Sequence, residues 1–96
     1  MLKNEILEEL RNFLGANFHQ DIESIEEAIE EFLEEADKER LIQTMDVIIA
    51  FIDLNICKNE KINLIKKYTY IKFENDNEYF EFIEAILDKI KHKLEN

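Results

Sequence analysis

Leu2, Ile6, Leu7, Leu10, Phe13 and Leu14 recur at spacings of three and four, which predicts a helix over residues 2–14 with one apolar stripe. Gly15 follows at the place where a left-handed C-terminal cap is expected. A second stripe, Ile25, Ala28, Ile29, Phe32 and Leu33, predicts a helix over residues 23–36. Ser24 followed by Glu27 matches a capping box, with Asp21 as a rival N-cap. Asp37 opens a third helix that runs to Leu54, with Leu41, Ile42, Met45, Ile48, Ile49 and Ile52 expected inward. Val47, Ala50 and Phe51 spread its apolar surface nearly all round, the pattern of a helix at the centre of a bundle.

A fourth helix is expected over residues 59–67, with Ile62, Leu64 and Ile65 inward. "YTYIKF", residues 68–73, has the β-branched and aromatic content of a strand. A lone strand leaves its backbone groups unpaired, so the segment reads as an extended connection with its aromatics against the core. "ENDN", residues 74–77, is a turn and cap, and a fifth helix follows to about residue 94. Its inward positions are Phe80, Ile83, Ile86, Leu87, Ile90 and Leu94. The expected fold is all-α: a compact single domain of about five helices over residues 1–96.

Composition agrees with the pattern. The chain has no proline and one glycine, and turns and sheet corners lean on both. A net charge of −11 disfavours nucleic acid and anionic membrane as partners and favours a basic protein. The longest apolar run, "VIIAFI" at 47–52, falls far short of the roughly 20 residues a membrane span needs. The N-terminus lacks the uninterrupted apolar region of a signal peptide, and one cysteine cannot form an internal disulfide. A soluble, cytoplasmic protein is expected, with a monomer as its state.

Candidate chemistry is sparse. Helical bundles that hold two metals use Glu-x-x-His, but Ala16 stands three places before His19 and Lys89 three before His92. No metal site, cofactor or catalytic residue is therefore expected. Cys57 has no family signature around it and reads as a buried, inert thiol. His19 and Asp21 lie between two helices, where such residues commonly hold a loop or cap a helix.

Charge is the stronger signal. Residues 21–39 hold ten acids and one lysine, a net −9. With the apolar stripe of the second helix turned inward, Glu23, Glu27, Glu30, Glu31 and Glu34 point outward, while Glu26 and Glu35 flank the stripe. Like charges four apart cost a helix a few tenths of a kcal/mol per pair, and lysines would have relieved them. Residues 58–72 carry Lys58, Lys61, Lys66, Lys67 and Lys72 against Glu60 alone, so the chain is polarised. The acids read either as a solvated face or as a docking surface for a basic protein. A small acidic regulatory adaptor, or a nucleic-acid mimic acting on a basic host protein, fits that charge equally well.

"FLGANFHQDI", residues 13–22, resembles the signature of the contact-dependent growth inhibition immunity proteins of bacteria, the CdiI type. In that family a short first helix leads into an aromatic-Phe-His-Gln-Asp-aromatic motif, followed by an acidic helix and a long apolar one. Phe18, His19, Gln20 and Asp21 match the motif, while Asn17 and Ile22 stand where flanking aromatics are common. The resemblance implies an all-helical protein that binds and neutralises the C-terminal toxin domain of a delivered effector. Many such toxins are nucleases, whose substrate-binding surfaces must be basic. It also implies a structural role for the four motif residues.

Overall fold

The structure is a computed structural model and describes residues 2–95. Five helices follow one another: α1 Lys3–Asn17, α2 Ile25–Glu35, α3 Lys38–Ile52, α4 Lys58–Tyr68 and α5 Asp76–Glu95. Among the described residues there is no strand. α1 and α5 each pack against α2, α3 and α4, so these two helices form the middle of the bundle. The Cα radius of gyration is 12.7 Å, close to the roughly 12.5 Å expected of a compact chain of this length.

The helix starts follow their caps. Ser24 Oγ accepts from the Glu27 N–H at 3.1 Å, so α2 begins at Ile25 and Glu23 lies on the loop before it. Asp37 Oδ1 accepts from the Arg40 N–H at 2.8 Å and starts α3. At α5 the Asn75 N–H donates to Glu78 Oε2 at 3.4 Å, the reach-back half of a capping box.

Gly15 does not end α1, and its φ is not positive. The helix continues to Asn17, whose Nδ2 donates to the Phe13 carbonyl at 2.9 Å. The next carbonyl, that of Leu14, accepts from the Phe18 N–H at 2.8 Å.

α3 is rotated from the expected stripe. Leu41, Thr44, Val47, Ile48 and Phe51 are buried, whereas Ile42 is 38% exposed and Met45, Ile49 and Ile52 are half-buried. The helix packs on α1 and α5 and leaves one edge in water, instead of lying at the centre. α5 is similarly offset: Tyr79 and Phe82 are buried along with Ile83, Ile86 and Ile90, while Phe80, Leu87 and Leu94 are half-buried.

The core is one contiguous cluster, and a file of aromatic rings crosses it. Phe32 of α2 meets Phe13 of α1 at 4.9 Å between centroids, and Phe13 meets Phe18 at 6.0 Å. Phe18 meets Phe82 of α5 at 4.8 Å, and Phe73 packs on both Phe82 and Tyr79. The edge-on geometry is the favoured one, worth about 0.5–1.5 kcal/mol per pair beyond burial.

Lys61 is buried, and its Nζ donates to the carbonyl of Ile52, the last residue of α3. A cation there meets the negative end of the helix dipole. Cys57 is exposed at the N-cap of α4 and makes no side-chain cap bond, which corrects the expectation of a buried thiol.

Candidate functional site

The four motif residues divide into one anchor and three surface groups. Phe18 has no exposure, and its ring fills the centre of the aromatic file. Its carbonyl accepts from Thr69 Oγ1 at 3.2 Å and from the Tyr70 N–H at 3.3 Å. The same Thr69 hydroxyl accepts from the Ile71 N–H at 3.2 Å. In this way the 68–73 connection is pinned to the motif loop without forming a strand. Tyr68, Ile71 and Phe73 are partly buried as expected, but Tyr70 is 65% exposed.

His19 is half-buried, and Gln20 and Asp21 are exposed. His19 Nδ1 accepts from the Asp21 N–H at 3.2 Å, which places the proton of the neutral ring on Nε2. The His19 carbonyl accepts from the Ile22 N–H at 3.4 Å. Both bonds lie within the loop between α1 and α2. Among the described residues, no group of three or more His, Cys, Asp or Glu side chains is placed to hold a metal ion.

α2 lies at the edge of the bundle and touches α1 and α5. Ala28, Ile29 and Phe32 are buried beneath it. Glu26, Glu27, Glu30, Glu31, Glu34 and Glu35 are all exposed on it, and Glu23 is exposed just before it. Among the described residues the one ion pair is Lys66–Asp76, and it involves no carboxylate of this ridge. Arg40, the nearest arginine in sequence, lies over the Phe32 ring at 5.8 Å.

The ridge has two sides. Glu23, Glu27 and Glu31 face the motif loop across a concavity of about 370 Å³ that His19, Asp21 and Phe32 also line. Glu30 faces the other way, into a groove shared with Lys89, Lys91, His92 and Lys93 of α5. Glu34 lines neither. The five expected contact residues are therefore all exposed, four on α2 and Glu23 before it, but three of them join the motif loop and one meets the basic end of α5. Sequence periodicity placed the acids outward; the tie between Phe18 and Thr69, 51 positions apart, had no signal in it.

This arrangement offers a run of exposed carboxylates beside the motif loop. No helix among the described residues is long and apolar enough to cross a membrane. No curated protein and no solved structure matches the chain. The family model of the CdiI immunity protein matches residues 6–90, a span that begins in α1, holds the whole Phe18–Asp21 motif and ends in α5. The chain belongs to the CdiI immunity protein family.

Proposed function

We propose that this protein neutralises the C-terminal toxin domain of a contact-dependent growth inhibition effector by stoichiometric binding, without turnover. The observation that carries the reading is the acidic ridge, a net −9 over residues 21–39 with its glutamates exposed and in no ion pair among the described residues. Unpaired like charges on one helix weaken it, so a sequence that keeps them gains something elsewhere. A basic partner supplies that gain by lifting the repulsion and by being drawn in along the field.

A nuclease domain is the toxin class that fits best, because a cleft that holds a phosphate backbone is itself basic. Glu23, Glu27 and Glu31 beside the motif loop would meet that cleft or the surface next to it. Glu30 and Glu34 extend the same edge. The cytoplasm is where such a toxin would act and where the protein would meet it. Family membership favours this reading over an acidic adaptor for a host protein.

Co-expression with a cognate toxin domain tests the proposal. A one-to-one complex on copurification, together with rescue of growth, supports it. Toxicity that persists without a complex contradicts it.

A further inference from the structure

Between α1 and α3 runs a groove of about 460 Å³ that lies apart from the α2 glutamates and takes in Asp37 and Glu39 at the end of the acidic 21–39 stretch. Its floor is apolar: Phe13 from α1, Val47 and Ile48 from α3. Asn12 and Gln43, both exposed, face it from the two helices. Glu9, Asp37 and Glu39 add three carboxylates to its rim, against the single cation Arg40. Its volume and make-up, an apolar base with a few converging polar groups, are those of a recognition site.

The groove owes its character to the rotation of α3. The stripe expected inward would have put Ile42 and Ile49 against the neighbours. Instead Thr44 and Val47 face α1, and the groove opens above them. It is also joined to the ridge. Asp37, which caps α3, follows directly on α2, and Arg40 of the groove rests on Phe32 of α2.

We infer that this groove is a second contact surface, which takes a cationic chain segment of the toxin domain bearing one apolar side chain. The occupant follows from complementarity. The apolar floor accepts an aliphatic or aromatic side chain. The carboxylates on the rim require lysine or arginine on either side of it. The Asn12 and Gln43 amides can pair with the segment's backbone. The inference rests on the toxin-binding reading and deepens it by dividing the labour. The ridge speeds encounter through long-range charge, and the groove slows release through desolvated contact.

Filling the groove tests this. Asn12→Trp and Gln43→Trp each place a large ring in it from an exposed helix position, and Glu39→Lys reverses the rim with little added bulk. Binding of the purified toxin domain is followed by surface plasmon resonance, and thermal melting of each free variant reports on folding. The expected result is dissociation faster by roughly tenfold or more at an unaltered melting temperature, with association little changed in the tryptophan variants. Loss of the toxin effect in the tryptophan variants through unfolding leaves Glu39→Lys to decide by the same criterion. Wild-type dissociation rates in the folded variants overturn the groove and leave the immunity reading standing. A wild-type protein that binds no toxin overturns both. A wild-type dimer that the tryptophan variants abolish overturns the inference in favour of a second copy as the occupant.

Discussion

The Thr69 hydroxyl donates to the Phe18 carbonyl at 3.2 Å, joining the loop between α1 and α2 to the connection between α4 and α5. Both groups are buried, and the Tyr70 N–H donates to the same oxygen. Thr69→Val keeps the shape and removes the hydroxyl, with the Phe18 carbonyl still served by Tyr70. The expected loss is about 1 kcal/mol by urea denaturation. Phe18→Ala removes a ring packed edge-on against two others and should cost about 3–5 kcal/mol. His19→Ala, which breaks one exposed bond, should cost about 0.5 kcal/mol or less. A large loss at His19 with none at Phe18 would reverse the roles assigned within the motif.

Lys61 reaches from α4 to the last carbonyl of α3 while buried. Lys61→Met keeps the aliphatic stem and deletes the donor, which leaves that carbonyl unserved. A loss of about 1–2 kcal/mol is expected, with faster amide exchange concentrated in the last turn of α3. Exchange that rises uniformly across the bundle would mean that Lys61 acts through packing alone.

Cys57 occupies an N-cap without making the cap bond. Cys57→Ser or Cys57→Asp supplies the missing acceptor and should stabilise the protein by about 0.5–1 kcal/mol. The native thiol should react fully with a colorimetric disulfide reagent in the absence of denaturant. Protection of the thiol would contradict its exposed position.

Lys66 Nζ lies 2.6 Å from Asp76 Oδ1 on the surface, and that hydrogen bond raises the lysine pKa above 10.5. A group raised in the folded state stabilises the fold fully below its unfolded pKa and loses that contribution as pH climbs through the folded one. Asp76→Asn should therefore lower the melting temperature slightly at neutral pH, with the gap to wild type closing above pH 10.5. A gap that stays constant through that window would assign the effect to the start of α5 instead.

The five helices were legible because each has a stripe with a clear period, and the caps Ser24 and Asp37 were legible because their side chains act locally. The rotation of α3 was not, for a physical reason. Ile42, Met45, Ile49 and Ile52 make as good a stripe as Leu41, Thr44, Ile48 and Phe51, and only the neighbours decide between them. Gly15 misled because glycine signals a helix end only where φ turns positive, and here it keeps ordinary helical backbone inside α1. Glu27 and Glu31 were placed outward correctly, yet their meeting with His19 and Asp21 depends on how the loop folds back, which no local pattern encodes.

The acidic ridge also sets stability against binding. Glu27→Lys relieves its repulsion with Glu31, and Glu30→Lys relieves that with Glu34, each by a few tenths of a kcal/mol. Such variants should melt higher than wild type. Glu23 contributes nothing to this effect as a helical pair, because it lies before the first turn of α2.

The association rate of a Glu27→Lys, Glu30→Lys, Glu34→Lys variant with the toxin domain at low salt bears most directly on the anionic ridge. Wild type should associate fast and slow steeply as salt rises, whereas the variant should associate at least roughly tenfold more slowly with a flattened salt dependence. Equal rates and equal salt slopes for the two proteins, with protection intact, would show that the ridge is a solvated face and that the toxin docks elsewhere.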